Sequence, residues 1–308
     1  MMHLKQNYTM NKTPVIGYAS ALLAAMLFGA VPTIAKPVIS NINVLLLSSI
    51  AYLIAALVFT PISRKVRVVL SKRDYIILVA ISVCGAAAAP YLYFLGLHQS
   101  SASDTSLLSN VEIMFTVLFG LLFFKERLRL VGFVSVSLVF LGVVIITTDL
   151  KFSGSILQLN AGHFFVLGSM ALWALDNNLS RIISTRMDTA RLVQLKSAIG
   201  GSILLGTVLM LHVPLVISTS QIPYVILLSA VGFGGSLYFF LQSLKRIGTI
   251  RTIMIFSMAS VFGLVFAAVF LHEQISPYQI IAIAIMLTGI YAINRKESIK
   301  ENPESPMH

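Results

Sequence analysis

Ten predominantly apolar stretches, each at or near the length that carries a helix across a bilayer, constrain this chain more than any other feature. They fall at 15–35, 42–60, 75–97, 104–124, 131–148, 161–181, 192–212, 223–243, 250–271 and 277–293. About 20 apolar residues cross the hydrocarbon core, so ten crossings absorb most of the 308 residues and leave short links with almost no extramembrane domain. Backbone groups in hydrocarbon must find partners within their own segment, which makes these runs helices. The shorter alternating segments of a β-barrel are not what the sequence shows. The expected fold is therefore an all-α polytopic membrane protein with ten transmembrane helices. Composition agrees, with 57% hydrophobic and 11% charged residues against about 45–50% and about 25% in soluble domains. That balance argues against a Rossmann enzyme, a secreted disulfide scaffold and a disordered partner protein. Cys84 is the only cysteine, so neither an intrachain disulfide nor a cysteine zinc cluster can form.

The formal charge of +11 comes from 22 Lys and Arg against 11 Asp and Glu. These charges punctuate apolar runs and form no long stripe interleaved with aromatics, so no nucleic acid partner is expected. Assigned to alternate links, the basic residues divide 20 to 2, with Lys36 and Lys151 on one side. The larger group includes Lys12, Arg64, Arg127, Arg186, Lys196, Lys245 and Arg295, and the positive-inside tendency places it in the cytoplasm. Both short tails, 1–14 and 294–308, are then cytoplasmic. Lys5 and Lys12 ahead of the first run imitate a secretory signal. The length of that run, Gly29, Pro32 and the lack of a clear small-x-small cleavage site favour a retained first span.

The two halves of the chain resemble each other. LFGAVPTIAK at 27–36 aligns with LWALDNNLSR at 172–181, setting Phe28 against Trp173 and Lys36 against Arg181. A nearly constant offset then matches Tyr91 with Tyr238, Leu97 with Leu244, Glu126 with Glu273 and Gly142 with Gly289. The expected repeats are 15–148 and 161–293, five helices each. An odd number of crossings reverses the second repeat, giving an inverted repeat about an axis in the membrane plane.

Polar residues inside the runs are the candidate site. Glu112 lies well within the fourth run, where lipid exposure costs about 3 kcal/mol on insertion scales. It should face the interior as a neutral structural hydrogen-bonding group, a proton-coupling acid or a contact for a cationic solute. Asn110, two residues away, does not share its face and suits helix packing. Asp176, Asn177 and Asn178 follow Trp173 in the sixth run. Trp173 and Asn177, four residues apart, line one face, with Asp176 turned roughly 100° away. They could wall a solute cavity or simply pack between helices. Tyr91 and Tyr238 could supply hydroxyls to a permeation path or anchor the interface. Glu126 and Glu273 close the fourth and ninth runs near opposite membrane faces, as structural acceptors or as gate latches. Gly85, Gly234 and Gly235 permit close packing, and Pro32 and Pro90 permit kinks.

No Walker loop, GxGxxG, HExxH or GxSxG is present, and none of the six histidines begins a metal cluster. No enzyme activity, cofactor or metal is expected, and active transport would draw on an ion or solute gradient.

The five-plus-five duplication and the matched ends LLFFKERLRLVG and AVFLHEQISPYQ resemble the drug/metabolite transporter superfamily, specifically its EamA-type repeats, over roughly 15–293. In such repeats a Glu commonly ends the fourth helix and a late Gly follows in the fifth, which correspond here to Glu126 and Gly142, then Glu273 and Gly289. The chain departs from the pattern in lacking the family's frequent proline after Glu112 and after Ala259, where Ile113 and Ser260 stand. The resemblance implies a secondary active transporter in the cytoplasmic membrane that exports small organic metabolites, amino acids or drugs by alternating access. Its partners would be a small organic solute, a coupling proton and membrane lipid; oligomeric state is not legible. An uptake carrier of the same fold is one alternative, and a lipid-like carrier or membrane scaffold is another.

Topology supplies the first test. Reporters fused after residue 308 and at Ser63 are expected to read cytoplasmic, and one in the 213–220 link external; an external signal from Ser63 in a normally folded protein contradicts the orientation.

Overall fold

A computed structural model describes residues 12–63, 70–124, 130–148, 161–184 and 186–296. The gate candidate Glu126, most of the N-terminal tail, residues 297–308 and the basic residues Arg64, Arg127 and Lys151 lie outside the described residues. The first half comprises α1 (Lys12–Ile39), α2 (Val44–Phe59), α3 (Lys72–Val83), α4 (Ala89–Gln99), α5 (Ala102–Leu108), α6 (Val111–Phe124) and α7 (Leu130–Thr148). The second comprises α8 (Ala161–Ser184), α9 (Thr189–Met210), α10 (Ile222–Leu227), α11 (Ser236–Ile247), α12 (Thr249–Phe256), α13 (Met258–Phe270) and α14 (Pro277–Lys296). Each of the ten apolar runs falls on one of these helices or on consecutive ones.

Among the described residues, five segments are long and apolar enough to cross a membrane: Val15–Ile39, Lys72–Gln99, Thr189–Met210, Thr219–Ile247 and Arg251–Phe270. The fold is all-α and polytopic. α8 is also long, but Asp176, Asn177 and Asn178 interrupt its apolarity. Large apolar side chains cover the outside, among them Leu57, Ile76, Leu122, Phe133, Phe164, Val269 and Ile280. Soluble monomers rarely expose contiguous apolar surface on this scale; lipid is the solvent it fits.

Four of the apolar runs are not simple helices. A π turn at Cys84–Ala88 joins α3 to α4, and another at Leu228–Gly235 joins α10 to α11. The fourth run breaks at Ser109 and Asn110 between α5 and α6, and the ninth at Ser257 between α12 and α13. Both breaks are tight turns, with Glu112 N–H donating to Ser109 O and Ser260 N–H to Ser257 O, each at 3.2 Å. Neither carries a proline. The two breaks meet, because Asn110 Nδ2 donates to Ser260 Oγ at 2.9 Å, the packing role its position predicts. Polar caps begin several helices: Asn43 accepts from Leu45 N–H, Ser71 and Asp74 form a capping box, and Asp188 accepts from Arg191 N–H.

The halves are interleaved. α2 packs along α9, α7 along α14, α4 along α8, and α1 along α11 and α13. Because lipid is as apolar as a helix face, such pairs are held by close van der Waals contact, and small residues permit it. Gly200 of α9 meets the π turn so closely that a Cβ would stand 2.5 Å from Ala86 Cβ and 2.6 Å from its carbonyl carbon. That backbone cannot move aside cheaply. Gly206, six residues on, has nothing within 4 Å of the same position.

Gly200→Ala is expected to cost about 1–3 kcal/mol by overpacking, whereas Gly206→Ala is expected to be neutral or to stabilise by up to about 1 kcal/mol through helix propensity. Thermal unfolding of the purified variants checks the pair.

Candidate functional site

The two irregularities, π turns and helix breaks, converge on the middle of the bundle. There Phe28, Tyr52, Glu112, Trp173, Asn177 and Phe256 line one cavity together with Gly85, Asp176, Lys196, Phe233, Ser236, Leu237 and Phe240. Its empty space is about 440 Å³. The passage is narrow, with room for a few waters, because the aromatic rings stand nearly in contact. Phe28 meets Trp173 edge to face at 5.4 Å and Phe233 at 6.3 Å, and lies 5.3 Å from Phe256. Tyr52 packs on Phe233 at 5.3 Å.

The cavity's polar side begins at the Gly85 carbonyl. Trp173 Nε1 donates to it at 2.9 Å and Tyr52 OH at 3.1 Å, so the π turn orients both aromatic side chains through one oxygen. Gly85 is also a space-maker. A Cβ there would stand 2.2 Å from Asp176 Oδ2, so a larger residue would expel the carboxylate. Asp176 is ion-paired with Lys196 of α9, and its other oxygen accepts from Ser180 Oγ at 3.0 Å. Asn177, next in sequence, turns toward α6 and donates its amide to the Glu112 carboxylate. Asn178 points away, donating to Ala174 O at 2.9 Å and Thr116 O at 3.3 Å, a helix-packing role.

Glu112, Trp173, Asp176 and Asn177 are thus brought together; Tyr91 and Tyr238 are not. Tyr91 packs half-buried at the edge of the core, and Tyr238 stacks on Phe59 at 5.3 Å and accepts from Gln242 Nε2 at 3.1 Å. Lys196 corrects the sequence-based division of charges. Grouped with the cytoplasmic basic residues, it lies instead within α9, 1% exposed, in contact with Asp176. An ammonium can be buried there because an acid waits for it. Its place inside the seventh run, at 192–212, was the available signal. The aromatic wall of Phe28, Tyr52, Phe233, Phe240 and Phe256 also escaped sequence reasoning, since phenylalanines in apolar runs look alike. Among the described residues no group of three or more His, Cys, Asp or Glu could hold a metal ion.

Glu273 lies elsewhere. Its carboxylate accepts from Ala102 N–H and Ser103 N–H, each at 3.0 Å, and from Ser103 Oγ at 2.6 Å, capping the start of α5. On the other side of the same turn, Lys36 Nζ donates to Leu97 O at 2.9 Å and to Ser100 O at the end of α4. A cation at a helix C-terminus and an anion at the next N-terminus each contribute about 0.3–1 kcal/mol, and up to about 2 when partly buried. The two form a clasp across the α4–α5 turn, with one residue from α1 and one from the segment after α13.

Comparison with known proteins agrees with this architecture. The model of the EamA-like transporter family matches twice, at residues 15–148 and 160–295. An uncharacterized transporter of Methanothermobacter thermautotrophicus is 29% identical over 293 residues, covering 90% of this chain and 85% of its own. A probable amino-acid metabolite efflux pump of Escherichia coli is 26% identical over 212 residues, covering 62% of this chain and 66% of its own. A solved crystal structure superposes with a TM-score of 0.67 over 91% of this chain and 96% of its own, at 19% identity, a likeness of fold.

The ion pair gives a stability test. Lys196→Met or Asp176→Asn alone is expected to cost about 3–5 kcal/mol by stranding a buried charge, and the combined variant to recover most of that loss. Thermal unfolding of the three purified variants measures it.

Proposed function

Since the chain belongs to the EamA-like transporter family, we propose that it is a secondary active exporter of small organic metabolites, working by alternating access through ten membrane crossings arranged as an inverted repeat. The observation that carries this reading is the buried cavity in which an aromatic wall faces Glu112 and Asn177, with Asp176 and Lys196 beside them. An organic solute needs both an apolar surface and a few placed polar groups, and a membrane carrier places them near the midplane between repeats. The matched π turns and helix breaks support the inverted repeat, because they recur at the offset that aligns Glu126 with Glu273.

In this reading Trp173 and Asn177 contact the solute, and Glu112 holds a proton or the solute's ammonium. The cavity lining reaches Lys196 early in α9 and Phe256 at the end of α12, while the Lys36 and Glu273 clasp lies at the other end of the bundle. A clasp on one side with the cavity displaced to the other fits an inward-facing conformation, given cytoplasmic termini in the inner membrane. Glu273 then acts as a gate latch, breaking its contacts with α5 when the outer side opens. Export, and amino acids as a solute class, draw support from the name of the Escherichia coli relative.

Proteoliposomes test this, with counterflow of a broad metabolite panel measured with and without an imposed proton gradient. Trp173→Ala and Asn177→Ala are expected to raise the half-saturating solute concentration about tenfold, a loss of about 1.4 kcal/mol each. Glu112→Gln is expected to insert normally and to lose gradient-driven accumulation. Normal transport in all three variants contradicts the assignment.

A further inference from the structure

Two carboxylates share the cavity, and the chain treats them unequally. Asp176 has one oxygen against the Lys196 ammonium and the other accepting from Ser180 Oγ at 3.0 Å. Glu112, on the facing helix α6, receives the Asn177 amide and pairs with no base among the described residues. Both acids are buried, at 3% and 5% exposure. The titratable and polar groups that face Asp176 are Lys196 from α9, Ser180 from its own helix, Glu112 from α6, Cys84 beside Gly85 in the π turn, and Tyr52 from α2, whose hydroxyl is committed to the Gly85 carbonyl. Nothing in the duplicated sequence required this pair. The alignment that sets Lys36 against Arg181 places Val31 opposite Asp176, and the same offset places Ala51 opposite Lys196. The second half therefore carries a complete ion pair where the first half is apolar, and Gly85 leaves the space it fills.

We infer that Lys196 is a tethered counter-cation, occupying from within the chain the place that a mobile cation would take beside Asp176, so that Glu112 is the one carboxylate in the cavity open to a proton or a solute ammonium. The inference rests on the reading of this cavity as the solute site. Its consequence concerns charge. A mutually neutralised pair can be exposed to one side of the membrane and then the other without picking up an ion. One exchangeable acid then sets one cation per cycle. Removing the tether converts a one-cation cavity into a two-cation cavity.

Dicyclohexylcarbodiimide reads this out without a known substrate. The apolar reagent adds to a protonated carboxyl as an O-acylisourea that rearranges to a stable N-acylurea, so each modified carboxyl gains the whole mass of the reagent. If Asp176 were activated in place, the Lys196 amine would instead displace dicyclohexylurea and leave an amide cross-link, the peptide losing one water. Peptide mass spectrometry of the purified full chain separates these products. In wild type, the Glu112 peptide is expected to carry the adduct and the Asp176 peptide neither adduct nor cross-link. In Lys196→Met, Asp176 labelling is expected to rise about tenfold or more, because a cation in contact withholds the protonated form the reagent consumes. In that variant n-propylammonium chloride, but not sodium chloride at equal ionic strength, is expected to slow Asp176 labelling. The inference is overturned if wild-type Asp176 is labelled or cross-linked as fast as Glu112 is labelled, or if Asp176 stays inert in folded Lys196→Met. Should that variant fail to fold, the wild-type comparison decides alone. A wild type in which Glu112 itself stays unlabelled overturns the solute-site reading, and the inference with it.

Discussion

Asp176 and Lys196 are buried in contact with one another inside a bundle whose outer face is apolar, and the centre of the protein is arranged around that pair. Each charge taken from water costs several kcal/mol even after relaxation, and mutual attraction repays this only with good geometry and further hydrogen bonds. Both conditions shape the neighbourhood. Ser180 serves the second oxygen of Asp176, and Gly85, which has no side chain, leaves room for the first. The π turn that contains Gly85 also presents the carbonyl that holds Trp173 and Tyr52. Substitution at Gly85, which looks like a small packing residue, would therefore disturb the acid, the indole and the phenol together.

The long apolar runs were legible because hydrocarbon leaves the backbone no alternative to a helix. The breaks at Ser109 and Ser257 were not, since neither has the proline that usually marks one; they meet where Asn110 donates to Ser260 across the bundle. Glu112, Asp176, Asn177 and Trp173 could be picked out because polar groups in an apolar run must be satisfied somewhere. Lys196 hid among the basic residues that orient the protein, although it stands four residues inside its run. Comparing the halves explains the pattern. The matched tyrosines, Tyr91 and Tyr238, lie off the cavity lining, while its charged and amide residues stand opposite Val31, Pro32, Ala51 and Ala259. The matched aromatics Phe28 and Trp173 both line the cavity, while its charged and amide groups are departures from the repeat.

The clasp at Lys36 and Glu273 follows a different logic. It uses no buried ion pair, only the opposed polarity of two successive helix ends. A few kcal/mol is enough to bias an equilibrium between two conformations by one to two powers of ten, yet small enough to be released. In the proposed cycle the ion pair stays closed while the clasp opens and re-forms, so the costly charges remain covered and the cheap contacts move. Interleaving of the halves, α2 with α9 and α1 with α11, means that motion at one end is carried by helices that also wall the cavity.

Trp173 is the chain's single tryptophan and it lines the cavity, so its fluorescence reports on the site with no label. Titration of the purified protein with a solute that it transports tests the central claim directly. A saturable change in emission is expected, with a midpoint that matches the half-saturation of transport; the change disappears in Glu112→Gln or shifts to higher concentration in Asn177→Ala. A solute transported at full rate that leaves the Trp173 emission unchanged at saturating concentration would contradict the claim.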